Sequence, residues 1–206
     1  MVVDRFSETF LADCISALSS FNLSEIEQVV EVIASTREQG GRLFIAGSGG
    51  GAGHASHATN DFRKLCQVES YCITDNVSEL TARINDDGWD TAYSNWLRAS
   101  NFAETDCLLV FSVGGGSVEP PVSVNLVNAV ELARLVGAKV VGIVGRTGGY
   151  LREFATASVL IPTVNAQLVT PIVEGLQAVI WHLLVSHPAL ARSVAKWEGL
   201  DKERNK

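Results

Sequence analysis

Apolar and polar positions follow two different rhythms along this chain. Near the start, Phe10, Leu11, Cys14, Ile15 and Leu18 recur at helical spacing within Ser7–Ser20. A second helix is predicted from Asn22. Ser24 is its candidate N-cap and Glu27 follows three residues on, a capping box. Its apolar stripe is Ile26, Val29, Val30 and Ile33, and Gly40-Gly41 ends it. Both stripes precede the first strand and need a partner surface, for which another subunit is a candidate. From Arg42 the rhythm changes to short, continuous apolar runs. Strands are predicted at Arg42–Ala46, Ser70–Thr74, Cys107–Ser112, Lys139–Val144 and Ser158–Ile161. Between and after them, helices are predicted near His54–Leu65, Ser78–Ile84, Asp90–Ala99, Val124–Leu135, Gly149–Ala155 and Thr170–His187. The tail beyond His187 turns polar and ends Asp201-Lys-Glu-Arg-Asn-Lys206, which predicts a frayed end.

Regular strand–helix alternation predicts an α/β fold. Its parallel sheet of five strands is flanked by helices on both faces as a flavodoxin-like three-layer sandwich, with an N-terminal helix pair added. No linker divides the chain, so residues 1–206 are read as one domain. Residues 1–40 hold the N-terminal helices, 41–188 the α/β core and 189–206 the C-terminal tail. A ligand is expected beyond the carboxyl ends of the strands, at the switch point.

Two of the predicted strands stop in the same way. Arg42–Ala46 runs into Gly47-Ser48-Gly49-Gly50-Gly51, and Cys107–Phe111 runs into Ser112-Val113-Gly114-Gly115-Gly116-Ser117. Glycines let a backbone approach a ligand, and free N–H groups at the following helix start favour an anion. The pair points to a phosphorylated small molecule. Gly47 to Ala52 also fits the dinucleotide pattern G-x-G-x-x-A. However, the acidic candidate Asp75 lies well beyond the usual spacing of ~20 residues, and neither loop holds a Walker A lysine. No nucleotide cofactor is therefore expected.

Composition narrows the partners. A formal net charge of −7 gives no basic stripe for nucleic acid. No apolar run is expected to be long enough to span a bilayer, and Met1-Val-Val-Asp-Arg-Phe6 lacks a signal-peptide pattern. Cys14, Cys66, Cys72 and Cys107 have neither zinc nor disulfide spacing and read as reduced structural thiols, with Cys72 and Cys107 in core strands. The expectation is a cytoplasmic protein.

Two His–carboxylate pairs carry the candidate chemistry. His57 and Asp61 are four apart on one helical face, just past the first glycine loop. Glu174 and His182 are eight apart on a helix otherwise marked by Ile172, Val173, Leu176, Val179, Ile180, Leu183 and Leu184. Trp89, Tyr93 and Trp96 follow helical spacing, which favours helix packing over sugar stacking. Arg146 follows a strand, where it is equally placed to reach an anion or to be solvated.

These residues bring the chain to a family. From about Phe6 to about Pro188 it resembles the sugar isomerase (SIS) domain proteins, and among them the phosphoheptose isomerases. The family's G-N-G-G-S loop and following H-x-x-x-E/D stand as Gly47 to Gly51 and His57-Ala-Thr-Asn-Asp61. Its S-T-S-G-N-S loop stands as Ser112 to Ser117. Its Asn-Asp pair stands as Asn85-Asp86, and its late Q/E and His stand as Glu174 and His182. The strand and turn Val141 to Gly149 also look like the family's. Gly51, Val113 and Gly114 depart from hydroxyl residues, and the insertion Val118–Ser123 lengthens the second loop and places Glu119 near the expected phosphate.

The resemblance implies an aldose–ketose isomerase. It would convert sedoheptulose 7-phosphate to D-glycero-D-manno-heptose 7-phosphate through an enediol, in nucleotide-activated heptose biosynthesis. Asp61 and His182 take the catalytic positions. Ser48, Gly49, Gly50, Gly51, Asn85, Asp86, Ser112, Val113, Gly114, Ser117 and Glu174 take the substrate positions. His57, Asp61, Glu174 and His182 also form a candidate Zn2+ set, and a homotetramer is implied. The alternatives are a non-catalytic SIS protein that binds phosphosugars or assists assembly, or an isomerase of another ketose phosphate.

Overall fold

The computed structural model describes residues 5–198, so the first four residues and the final eight, including the Asp201–Lys206 tail, lie outside it. The element order is α1 Phe6–Ser19, α2 Leu23–Glu38, β1 Leu43–Gly47, α3 Gly50–Cys66, β2 Ser70–Cys72, α4 Val77–Asp87, α5 Trp89–Ala99, β3 Cys107–Ser112, α6 Val124–Leu135, β4 Lys139–Val144, α7 Gly149–Phe154, β5 Ala157–Leu160 and α8 Val169–Ser186. The strands form one parallel sheet in the order β2-β1-β3-β4-β5. From β1 the chain crosses one way to β2, and from β3 it crosses the other way to β4. The switch point therefore falls between β1 and β3, the strands that carry the glycine loops.

The strands are apolar throughout because both faces are covered. Leu43, Ile45, Leu109, Phe111, Val141 and Ile143 face a core shared with α2, α3 and α8. Phe44, Ala46, Leu108, Val110 and Val140 face a second core with α5, α6 and α7. At the opposite end from the loops, the buried Asp106 ties β1 to β3. It accepts from the Arg42 backbone N–H at 2.9 Å and the Arg42 guanidinium at 2.7 Å. Tyr93 and Trp96 pack as helix residues. Tyr93 is buried, and Trp96 meets Phe44 edge-on at 5.9 Å.

Several expectations change. The N-cap of α2 is Asn22, whose Oδ1 accepts from Ser24 N at 3.1 Å; Ser24 instead donates its hydroxyl to the same oxygen. The α2 stripe needs no second subunit, because Ile26, Val29, Val30 and Ile33 are buried in the chain's own core. The α1 stripe is split: Phe10 and Cys14 pack partly buried against that core, whereas Leu11, Ile15 and Leu18 stay exposed. The tail is tied down through Ser193. Arg37 donates to the Leu190 carbonyl at 2.7 Å, and Leu65 O accepts from Arg192 N at 2.7 Å. By length and composition α8 is apolar enough to cross a membrane, at mean hydropathy 1.4. Its stripe of Ile172, Val173, Leu176, Ile180, Trp181 and Leu184 instead packs in the core. The cysteines are free, and burial pushes the thiols of Cys66 and Cys72 up to about 11 and that of Cys107 up to about 12.

Glu25 fastens α2 to the far edge of the sheet. Its carboxylate accepts from Arg152 at 2.8 Å and from Leu160 N at 2.9 Å. Burial alone would raise its pKa, but Arg152 and the Leu160 N–H outweigh burial and hold it below the ordinary 4.5. A carboxyl depressed in the folded state stabilises above its unfolded pKa and loses that contribution as pH falls through the folded one. Glu25→Gln is therefore expected to cost about 2 kcal/mol at pH 7. The gap to wild type should close in acid, as read from urea melts at several pH values. A gap that stays constant down to pH 3 would refute the linkage.

Candidate active site

The first glycine loop is shorter than predicted. Helix α3 starts at Gly50 rather than near His54, leaving only Ser48 and Gly49 as the turn. Gly49 takes φ 59°, a conformation that suits glycine. The other glycines serve close packing. A Cβ on Gly50 would lie 2.6 Å from the Glu174 carboxylate, and one on Gly51 would lie 2.8 Å from the Phe111 carbonyl oxygen. The helix therefore lies tight against β3 and α8. Tyr93 donates to the Gly47 carbonyl at 2.7 Å, and the buried Asn125 donates to Ser48 Oγ at 3.2 Å.

The second loop is held by α7. Tyr150 N and Leu151 N donate to the carbonyls of Gly116 and Gly115, each at 2.9 Å. Those helix N–H groups are thus committed to protein and do not face a ligand. Ser112 Oγ accepts from Gly115 N at 3.0 Å and keeps its own hydrogen to donate. Ser117 points elsewhere. Its backbone pairs with Val122, and its hydroxyl donates to the Glu119 carbonyl at 3.1 Å. This pairing folds Val118–Pro121 outward and leaves Glu119 exposed, so the expected place of Glu119 beside a phosphate is corrected. Ser48, Ser112, Val113, Gly114 and Ser123 line a cavity of about 260 Å3 between the two loops.

Helices α3 and α8 lie side by side, and their exposed edges carry the acid–base residues. His57, Asp61 and His182 place one candidate ligand atom each within 4.8 Å of one another. His57 Nε2 stands 3.8 Å from Asp61 Oδ2, and Asn60 donates to Asp61 Oδ1 at 2.8 Å. His182 Nδ1 is 2.7 Å from the Ala178 carbonyl. That contact assigns the ring proton to Nδ1 and leaves Nε2 with a free lone pair. His182 stacks on Trp181 at 3.5 Å and meets His57 edge-on at 5.6 Å. It is exposed, on the flank of the apolar stripe rather than in the core.

The structure does not gather every predicted residue. The Glu174 carboxylate stands over Gly50 at the start of α3, apart from the His57–Asp61–His182 group. Asn85 and Asp86 bond to each other at 2.8 Å on the exposed last turn of α4 and line none of the cavities between the loops. His54 was missed. It is half-buried near Phe111, with ring centroids 5.8 Å apart. Burial holds its imidazole below the ordinary 6.5, while Glu174 opposes this. The spacing 54–57–61 puts three titratable groups on one helix face and was the available signal.

Two imidazoles and one carboxylate suit a divalent metal with a position left open for substrate. The 4.8 Å spread is wider than the roughly 3.3 Å between donors on tetrahedral zinc with ~2.0–2.1 Å bonds, so these side chains would have to draw in around such an ion.

A sheet of this order, with paired glycine loops at its switch point, defines a doubly wound, flavodoxin-like α/β domain. The model of the SIS domain family matches residues 9–145. The lincomycin biosynthesis protein LmbN of Streptomyces lincolnensis is 34% identical over 76% of this chain, which spans 59% of that relative's length. A phosphoheptose isomerase of Akkermansia muciniphila is 32% identical over 74% of this chain and 79% of its own. The solved phosphoheptose isomerase of Neisseria gonorrhoeae shares the fold at TM-score 0.78, with 22% identity over 90% of this chain and 97% of that one. The chain belongs to the SIS-domain family of phosphoheptose isomerases and is an isomerase.

Proposed function

We propose that this isomerase converts sedoheptulose 7-phosphate to D-glycero-D-manno-heptose 7-phosphate, the step that feeds nucleotide-activated heptose synthesis. The observation that carries the reading is the meeting of His57, Asp61 and His182 from two helices beside the paired loops. Moving a proton between neighbouring sugar carbons needs a base for a weakly acidic C–H and a partner that returns the proton. Asp61 and His182 Nε2 supply these from opposite helices. The Ala178 carbonyl keeps His182 in one tautomer, so Nε2 is the atom that takes or returns the proton. The backbone of Ser48–Gly51 and Ser112–Ser117, with the hydroxyls of Ser48 and Ser112, holds the phosphate. Asn85, Asp86 and Glu174 keep the sugar-contacting roles that the family resemblance implies. Zinc held by His57, Asp61 and His182 would polarise the sugar oxygens and neutralise the developing oxyanion.

The working assembly is a homotetramer in the cytoplasm. Leu11, Ile15 and Leu18 on α1, and Val179 and Leu183 beside His182 on α8, are apolar and exposed, as an interface close to the site would require. Light scattering is expected to give about four times the 22.1 kDa chain mass. A stable monomer at micromolar concentration contradicts this.

The deciding experiment is incubation of the zinc-loaded protein with sedoheptulose 7-phosphate, followed by NMR for aldose signals. A second reading, an isomerase of another ketose phosphate, is favoured by the loss of hydroxyls at Val113 and Gly114. Turnover of a different ketose phosphate with none of the heptulose would select it. Binding without turnover of any sugar would select a non-catalytic phosphosugar-binding role.

A further inference from the structure

Arg146 is the group at the strand ends that neither the core nor the acid–base cluster uses. It follows β4 with φ 53°, in the left-handed region. Gly145 O accepts from Gly148 N at 2.9 Å, so Arg146 is the first central residue of a tight turn, where glycine or asparagine is the unstrained choice. Its side chain is exposed. Apart from Arg5 at the start of the described residues, it is the one arginine with no hydrogen-bond partner among them. It is also the one charged residue lining the 260 Å3 cavity of Ser48, Ser112 and Ser123, and the one charged residue lining the adjoining 220 Å3 cavity of Gly116 and Ser117. Its Cδ lies 3.7 Å from where a Cβ on Gly114 would be, so the side chain crosses the second loop.

The surrounding donors are few. Val113 and Gly114 offer no hydroxyl, and Ser117 spends its own on Glu119. The chain as a whole is acidic, at −7, so a dianion gains nothing from the general field. A guanidinium fork supplies both charge and two parallel donors to phosphate oxygens, which a lone serine cannot.

We propose that Arg146 binds the phosphate of the substrate, its guanidinium clamping the anion in the Ser48–Ser112–Ser123 cavity and selecting phosphorylated over free sugars. The word substrate rests on the isomerase reading above; anion binding at this place does not. The test compares wild type with Arg146→Gln, Arg146→Lys and Arg146→Gly. It measures the Kd for inorganic phosphate by calorimetry, KM and kcat for sedoheptulose 7-phosphate, and the melting temperature. Arg146→Gln is expected to raise Kd and KM roughly 10- to 100-fold, as loss of a charge-assisted bidentate contact should, with the change falling on KM. Arg146→Lys keeps the charge without the fork and should lose less. Arg146→Gly relieves the turn, so it should melt at or above wild type while losing phosphate equally, which a merely structural arginine would not do. Unchanged Kd and KM in Arg146→Gln, wild-type affinity in Arg146→Gly, or no phosphate binding by wild type would each overturn the proposal. Arg146-dependent phosphate binding without turnover of the heptulose would uphold this site and sink the substrate assignment instead.

Discussion

Asp61→Asn and His182→Ala are each expected to lower kcat by ~10²–10⁴-fold while phosphosugar binding persists, the span that positioned acid–base groups contribute. The double variant should be little slower than the worse single, because two groups that hand one proton across a substrate fail together. Geometry motivates the pairing: the two side chains come from different helices, yet their ligand atoms, with that of His57, fall within 4.8 Å. Each of these changes also alters a candidate metal ligand, so zinc content must be measured on every variant. The informative comparison is kcat at equal metal occupancy. A folded, metal-replete His182→Ala protein that turns over at the wild-type rate would eliminate His182 as proton carrier. Independent losses that multiply in the double variant would mean that the two act on separate steps.

Gly115→Ala is expected to destabilise the protein by about 3 kcal/mol, whereas Gly53→Ala should be neutral or stabilising by up to ~1 kcal/mol. Gly115 has φ 77°, and a Cβ there would run into the Gly148 carbonyl oxygen. Relief requires moving the turn that Leu151 N and Gly115 O hold together. The loop that shapes the phosphate cavity would move with it, so KM should rise as well. Gly53 sits inside α3 with open space around its Cβ position, where alanine only improves helix propensity. Urea denaturation measures both. Equal midpoints for the two variants would show that the β3–β4 loop contact is not under tension.

The architecture was legible because its signals are local. Continuous apolar runs between helical stripes marked all five strands to within two residues at either end, and α6 was placed at Val124–Leu135 as observed. The largest error, the start of α3, arose because glycine reads as loop. Gly50 to Gly53 are helical since the packing of α3 against Phe111 and Glu174 admits no side chain at Gly50 or Gly51. The capping-box spacing of Ser24 and Glu27 points to Ser24 as N-cap, whereas the cap is Asn22, whose Oδ1 accepts from Ser24 N. The α2 stripe looked like an interface because nothing in a linear pattern says that a helix will fold back over β5 and close its own core.

At the candidate site the division is similar. The sequence by itself determined the residue types: two glycine loops after strands, and His–carboxylate pairs at helical spacing, each a matter of near neighbours in the chain. Only the tertiary structure decided which of them meet. It set α3 beside α8 so that His57 and Asp61 face His182, drew Glu174 to the first loop beside an unread His54, and left Asn85 and Asp86 on an outer helix. It tied the Ser117 hydroxyl to the Glu119 carbonyl and put Arg146 across the second loop. Local spacing fixes the face of a helix on which a side chain stands. What that face opposes depends on the sheet order and on contacts between residues more than a hundred positions apart, and no local pattern carries that information.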